Sequence, residues 1–184
     1  MTLPAGLLNN DIEIYNTDMG AKVLQNGNSV PYLSMPDVFR QPYQTELIRD
    51  KKACQALRSV FHLTSGDEME EQFVACRFGG ALDQTPDLID MQPVPDCPLC
   101  KKLKTCEAFD IVCKAPLTKS GKRLARHEYL VVIEVAKGKQ DSEIAELLNI
   151  EVSSVRTFLA RAREKMCLNN RVEVALWLIN KGIV

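Results

Sequence analysis

The chain has 184 residues, and its 23 Lys and Arg against 24 Asp and Glu give a formal net charge of −1. This length allows one or two small domains, and no run of about 18 apolar residues is present to span a membrane. The first residues show neither a basic region nor a clear cleavage site, so we expect a cytoplasmic protein without a secretory signal and with reduced cysteines.

The near-neutral charge hides a difference between the two ends of the chain. From Pro116 onward there are 12 Lys and Arg against 8 Asp and Glu, a net of +4, whereas the residues before it hold 11 against 16, a net of −5. A basic segment of this kind favours a partner rich in phosphate.

Residues 1–43 are predicted to be an irregular arm. Asp11–Tyr15 alternates in polarity and is compatible with one short strand, and Gln25–Asn28 predicts a turn. Three prolines argue against a long helix here: Pro31, Pro36 and Pro42.

Residues 44–115 are predicted to form a small helical and cysteine-rich region. The spacing of apolar residues predicts one helix from Thr45 to about His62 and a second from Gly66 or Asp67 to Cys76. The turn residues between Thr85 and Asp96 predict a loop.

Seven cysteines are present, and five of them fall between residues 76 and 113. Cys97 and Cys100 form a Cys-x-x-Cys hairpin, which can place two thiolates on one tetrahedral ion. The predicted metal ligands are Cys97, Cys100, Cys106 and Cys113, with Cys76 as an alternative ligand. Zinc is the expected ion, while a 4Fe–4S cluster and thiols without metal remain open.

The order of these cysteines is also similar to that of WhiB-like regulators. That resemblance implies a 4Fe–4S cluster and a redox-sensing regulator, although the Gly-Trp-Gly-Gly turn of that family is absent.

The residues from 116 onward show the spacing of a helix-turn-helix. Gly138 permits one helix to stop, and Asp141 or Ser142 can cap the next. Helices are predicted at about 141–148, 152–166 and 171–181.

This segment resembles the LuxR/FixJ-type DNA-binding domain from about Leu124 to Val184. Glu128, Val155-Arg156-Thr157 and Asn170–Glu173 match stretches of the family pattern. The sequence departs from that pattern at Ala125–His127, where the family has Thr-Pro-Arg, and at Phe158 and Cys167, where His and Gly are common. The resemblance implies a mainly α protein with a four-helix DNA-binding domain over residues 116–184, preceded by an irregular, α-rich region that carries the candidate metal site.

The resemblance also implies which side chains meet double-stranded DNA. Arg156 and Thr157 fall at base-reading positions, and Ala160 falls at a third that often carries Lys. Arg suits guanine, and hydroxyls suit bases or phosphates. The predicted DNA contacts are Ser153, Ser154, Arg156, Thr157, Ala160, Arg161, Lys165 and Lys139.

The fourth helix is apolar nearly all round, which predicts two buried faces. One face is expected to pack on its own domain and the other on a second copy, as in the family. The predicted interface of a homodimer on DNA is Val172, Ala175, Leu176 and Ile179.

The sequence therefore predicts a DNA-binding transcriptional regulator and not an enzyme, because no catalytic constellation stands out. RNA polymerase is a further candidate partner. Two alternatives are open. One is a sigma-factor-like protein, because Arg156–Lys165 is similar to region 4 of sigma factors, and the other is an anti-activator that acts through protein–protein contacts. The amino-terminal part also resembles short LuxR-type regulators of the Bacteroidetes, and the resemblance is carried by Phe73–Gly80, Thr85–Asp87 and Cys97–Leu99.

Overall fold

The computed structural model describes residues 3–80 and 82–184, and these form two compact units. The amino-terminal unit contains the described residues up to Cys100 together with Glu107–Lys114. The carboxy-terminal unit contains Lys101–Cys106 and Ala115–Val184. The sequence-based boundaries keep residues 44–115 in one region, so the structure divides the cysteine-rich segment differently.

The first 43 residues include an antiparallel sheet rather than forming an irregular arm. Its three strands lie in the order β1 (Glu13–Thr17), β2 (Gly20–Gln25) and β3 (Asn28–Pro31). Only four to six residues long, these strands carry too few alternating positions for the sequence to distinguish them from loop. The prediction of an irregular, α-rich amino-terminal region is therefore wrong for this part.

The sheet is fixed by its buried face and by one tight turn. Ile14 and Val23 are paired across β1 and β2, and both are buried. Asn26 and Gly27 join β2 to β3 with φ values of 50° and 70°, the left-handed backbone that a two-residue hairpin favours. The predicted turn at Gln25–Asn28 is confirmed.

Helix α1 (Asp37–Arg49) begins before the predicted start at Thr45 and contains Pro42. Its Tyr43 is fully buried, with its ring edge-on to those of Tyr32 at 6.0 Å and Phe78 at 5.0 Å. Aromatic burial of this kind offsets the hydrogen bond that a proline removes from a helix.

A second helix, α2 (Lys51–Ser59), follows where the sequence predicts one continuous helix to His62. Asp50 leaves the helical conformation, with φ −87° and ψ 77°, and its carboxylate accepts the N–H of Ala53 at 3.0 Å. The prediction of a single helix is wrong because this aspartate caps a new helix instead of continuing the old one.

Helix α3 (Gly66–Arg77) agrees with its predicted range, and Met69, Phe73 and Val74 are buried. Its last residue, Arg77, is buried, and all three of its guanidinium nitrogens donate hydrogen bonds. The guanidinium donates to Glu46 at 2.9 Å, to Asp50 at 2.8 Å and to the Val112 carbonyl at 2.7 Å. This network fastens the segment around Val112 to the helices of the amino-terminal unit.

The predicted loop between Thr85 and Asp96 contains a small hairpin. Its strands, β4 (Leu88–Ile89) and β5 (Gln92–Pro93), pair antiparallel. Asp90 and Met91 between them have φ values of 49° and 59°.

The carboxy-terminal unit is helical. It consists of α4 (Arg126–Ala136), α5 (Asp141–Leu148), α6 (Val152–Met166) and α7 (Arg171–Asn180), and α4 packs against the other three. Because α4 is covered on several sides, it contributes a nearly continuous buried run from Glu128 to Val135. The four-helix carboxy-terminal domain is confirmed.

Each of these four helices is followed, within two residues of its end, by a residue in the left-handed region: Gly138, Asn149, Cys167 and Gly182. The next N–H returns to a carbonyl five residues earlier, as in Lys139 to Glu134 and Ile150 to Ala145, which is the Schellman arrangement. The predicted stop at Gly138 is confirmed.

The predicted cap of α5 at Asp141 or Ser142 is wrong. Gln140 occupies the cap position, and its N–H donates to Glu143 Oε2 at 2.6 Å. The carboxylate three residues into the helix therefore satisfies this amide, and Asp141 is left available for another contact.

Among the helices of the described residues, none is long and apolar enough to cross a membrane.

Candidate nucleic-acid interface

The turn between α5 and α6 sets the direction of the candidate recognition helix. Asn149 adopts φ 53° and ψ 51°, which Asn tolerates better than most residues. The N–H groups of Asn149 and Ile150 return to the carbonyls of Glu146 and Ala145. The chain then starts α6 at Val152, in the range that the sequence predicts.

The two faces of α6 differ in character. The buried face holds Val155, Leu159, Ala162 and Met166, which contribute to the core of the unit. Five of the predicted DNA contacts are exposed on this helix: Ser153, Arg156, Thr157, Ala160 and Arg161. Ser154, Lys165 and Lys139 are half-buried. The exposed face is polar and carries two arginines, a composition that suits a helix lying in a major groove.

Arg156 is held loosely by an acidic partner that the sequence did not reveal. Its Nε lies 3.5 Å from Asp141 Oδ2, and its side chain is 73% exposed. Arg171 donates to the other oxygen of Asp141 at 2.6 Å and also to the Lys139 carbonyl. The hydrogen bond from Arg171, aided by Arg156, lowers the pKa of Asp141, so this carboxylate stays ionised and keeps both arginines oriented.

Lys139 is already paired within the unit. Its Nζ lies 2.6 Å from Glu134 Oε2, and Lys137 binds the second oxygen of the same carboxylate at 3.0 Å. Although burial opposes ionisation of Glu134, these hydrogen bonds lower its pKa. Lys139 must therefore exchange a carboxylate for a phosphate if it is to contact DNA.

Lys165 is paired in the same way, with Glu128 Oε2 at 2.6 Å. The same buried carboxylate accepts the N–H of Ala125 at 2.8 Å and so caps α4 in place of the missing Thr. Glu128 thus links the start of α4 to the end of α6. Lys165 therefore has a structural role, which the spacing of residues in the sequence does not show.

Phe158 also has a structural role. Its ring stacks on that of His127, with centroids 5.2 Å apart and an angle of 18° between the planes. Two of the departures from the family pattern therefore meet, and together they connect α4 to α6.

The exposed side of α7 is apolar. Val172, Leu176 and Ile179 are 67%, 53% and 50% exposed, whereas Val174 and Leu178 are buried. Ala175, the fourth residue of the predicted interface, is half-buried and so less exposed than the other three. The exposed three lie at a spacing of four and three residues, which places them in one stripe along the helix.

The predicted metal ligands are divided between the two units. Cys97, Cys100 and Cys113 belong to the amino-terminal unit, as does the alternative ligand Cys76, whereas Cys106 belongs to the carboxy-terminal unit. Among the residues that the structure describes, no group of three or more His, Cys, Asp or Glu side chains is placed to hold a metal ion.

Comparison with known families gives an independent assignment. Residues 122–178 match the family model of bacterial regulatory proteins of the luxR family, named GerE. This confirms the LuxR-type carboxy-terminal domain, while the likeness of the amino-terminal part to regulators of the Bacteroidetes remains a prediction. No curated protein and no solved structure matches the chain significantly.

Proposed function

We propose that this chain, whose carboxy-terminal unit carries the domain of the luxR family of bacterial regulatory proteins, binds specific sequences of double-stranded DNA through α6. A general role as a DNA-binding transcription regulator follows from the family. The observation that supports sequence-specific binding is the exposed face of α6, with Arg156 accessible on its second turn.

The chemistry of that face suits direct reading of bases. A guanidinium donates two hydrogen bonds to a guanine edge, and a small apolar side chain fits beside a thymine methyl. Arg156 and Ala160 supply these two groups one helical turn apart. The Thr157 hydroxyl, which donates to the Ser153 carbonyl at 2.9 Å, is available on the same face as a hydrogen-bond acceptor.

The contact between Asp141 and Arg156 supports preorganisation of the reading side chain. An arginine held near its bound orientation loses less conformational freedom on binding. At 3.5 Å the contact is weak enough to yield to a base. When Arg156 turns from Asp141 to a base, Arg171 still donates to the carboxylate at 2.6 Å and balances its negative charge.

Charge supports DNA as the partner of the carboxy-terminal unit. That unit holds 15 Lys and Arg against 8 Asp and Glu, a net of +7, and the amino-terminal unit holds 8 against 16, a net of −8. Phosphate contacts release counterions, so affinity should fall steeply as salt is raised.

The test begins with selection of preferred sites from random duplexes by the purified full chain. Arg156→Ala should then weaken binding to the best site by roughly 1–3 kcal/mol and relax the preference at one base position. Arg58→Ala, an exposed arginine of the amino-terminal unit, is the matched control and should bind like the wild type. Equal binding by the Arg156 variant and the wild type would contradict the proposal.

The apolar stripe of α7 supports a contact with another protein surface, and a second copy on DNA is the occupant that we propose. Two copies related by a two-fold axis would present two α6 helices to neighbouring major grooves. An anti-activator would use the same stripe without binding DNA, and the selection experiment separates these two functions.

A further inference from the structure

Asp141 and Arg156 form a contact across the turn of the helix-turn-helix. Asp141 is the first residue of α5, and Arg156 lies on the second turn of α6, 15 residues later. In the part of the chain that the structure describes, the side-chain partner of Arg156 is Asp141 Oδ2, which meets only the Nε of the guanidinium, at 3.5 Å. The two terminal nitrogens lie at the end of a side chain that is 73% exposed, so they are accessible to a base.

The carboxylate of Asp141 is fixed by Arg171, the first residue of α7. Arg171 donates to Asp141 Oδ1 at 2.6 Å and to the Lys139 carbonyl, and the Asp141 side chain is only 25% exposed. The hydrogen bond from Arg171 lowers the pKa of Asp141, so a negative charge is present here at neutral pH. Arg156 is therefore the exposed member of a group whose other two members hold each other in place.

DNA offers the guanidinium of Arg156 two kinds of acceptor. Phosphates border the groove at every base pair and attract it by charge alone, whereas a guanine edge on the groove floor accepts two hydrogen bonds in a fixed geometry. A phosphate draws Arg156 outward, so the attraction to Asp141 is lost. A base in front of α6 leaves the guanidinium close to Asp141, where opposite charges still attract after the 3.5 Å hydrogen bond has been broken.

We propose that Asp141 is a specificity-determining residue, because it keeps Arg156 directed at the bases and makes binding to a phosphate less favourable. This inference rests on the proposed reading of bases by α6, and it assigns a role in specificity to a residue of α5. Arg171 is the positioning residue of the group, since it holds the carboxylate where Arg156 reaches it. Without the carboxylate, Arg156 would bind phosphates of any sequence, and the preference among sequences would weaken.

The test compares Asp141→Asn with the wild type on the selected duplex and on a scrambled duplex, using the full chain. The amide oxygen still accepts from Arg171, so the substitution removes the charge and preserves the shape. The ratio of the two affinities should fall roughly fivefold, the most that an exposed ion pair commonly contributes. The fall should come from tighter binding to the scrambled duplex, where the slope of log K against log salt should steepen by about 0.9 for one added phosphate contact.

Two further comparisons separate this role from a general effect of charge. Glu146→Gln removes the same charge from an exposed position of α5 and should change both affinities by the same factor, which leaves their ratio unaltered. In the background of Arg156→Ala, Asp141→Asn should also leave the ratio unaltered, because Asp141 acts through Arg156 and the two effects are not additive. A misfolded protein would bind both duplexes more weakly, so misfolding does not imitate the expected gain on the scrambled duplex.

Three results would overturn the inference. If Asp141→Asn leaves the ratio unchanged or weakens binding to the scrambled duplex, Asp141 does not restrain Arg156. If it lowers the ratio by the same factor in the background of Arg156→Ala, it acts on DNA without Arg156. Unaltered binding of Arg156→Ala to the selected duplex would refute the base-reading function together with this inference, whereas the first two results leave that function standing.

Discussion

The carboxyl groups of Glu13 and Asp87 lie in the interior of the amino-terminal unit, each about 1% exposed. The N–H of Asp83 donates to Glu13 at 2.7 Å and that of Ile14 to Asp87 at 2.5 Å. The second oxygen of each is buried and lacks a hydrogen-bond partner in the described part of the chain. An ionised oxygen in that position is costly, so these groups favour the protonated form.

The pKa values follow from this environment. Burial raises the pKa of Glu13 to about 8 and, together with nearby acidic groups, that of Asp87 well above its ordinary value. The neighbouring Asp96 has a pKa raised to about 7, also by burial. The folded unit therefore retains protons that the unfolded chain loses near pH 4.

We predict that the amino-terminal unit loses stability as the pH rises from about 4 to about 8. In that window the unfolded state is ionised while the folded state holds its protons, and each such group lowers the free energy of unfolding by up to about 1.4 kcal/mol per pH unit. Urea unfolding of the full chain at pH 6 and pH 8, at one ionic strength, measures the change.

Glu13→Gln should reduce this pH dependence, because the amide keeps an acceptor for Asp83 and cannot ionise. Glu68→Gln, at an exposed position of α3, should leave it unchanged. If the free energy of unfolding falls by the same amount between pH 6 and pH 8 in the Glu13 variant and in the wild type, Glu13 does not titrate in this window.

At the scale of elements, the cysteine-rich segment is the part on which sequence and tertiary structure diverge most. The N–H of Asp96 donates to the Arg77 carbonyl, and Arg77 Nε donates to the Val112 carbonyl. Cys97 follows Asp96, Cys76 precedes Arg77 and Cys113 follows Val112. Three segments that each carry a cysteine therefore meet at Arg77. Cys76, the alternative ligand of the sequence analysis, therefore belongs to the same unit as Cys97, Cys100 and Cys113, whereas Cys106 does not.

The metal site itself remains a prediction, and we expect zinc in freshly purified protein. Four cysteines of one unit, Cys76, Cys97, Cys100 and Cys113, would then be the ligands, and thiolates bind zinc well. Elemental analysis of the full chain should give one zinc, and Cys76→Ser should lower its content more than Cys106→Ser. Iron with a visible absorption band would instead indicate a cluster, and protein without either metal would refute the prediction.

At the scale of the whole molecule, the exposed stripe of α7 is the surface through which we propose that two copies meet on DNA. Three large apolar side chains on one helix form a small surface, and apolar burial contributes roughly 25 cal/mol per Å². A contact of this size is too small for a stable dimer in solution. It can still contribute where two copies are already held side by side on DNA.

We predict that Leu176→Glu lowers cooperative binding to a duplex with two half-sites by about tenfold, equivalent to about 1.4 kcal/mol. Binding to a single half-site should be nearly unchanged, because Leu176 is exposed and its replacement leaves the core intact. Gln55→Glu, with the same change of charge on α2, is the control.

Both duplexes are titrated with all three proteins. Equal losses on one and two half-sites would indicate damage to the domain. If the variant loses nothing on either duplex, α7 is not the contact between copies.

Local sequence information was sufficient for the carboxy-terminal helices. The ends of α5 and α6 agree with the predicted ranges, because apolar spacing, Gly138 and Asn149 act within one or two helical turns. The exposed face around Arg156 follows from the same periodicity. The family resemblance added the base-reading roles, which helical spacing alone does not give.

Contacts between residues far apart in the sequence determined the amino-terminal sheet and the pairing of several charged side chains. The sheet of β1 to β3 forms because Ile14 and Val23 meet a core built by later helices, and short strands gain little from local interactions. Lys165 is engaged by Glu128, 37 residues earlier, and Lys104 by Leu147, 43 residues later. Such pairings depend on which surfaces the packed helices bring together, and a one-dimensional pattern does not contain that information.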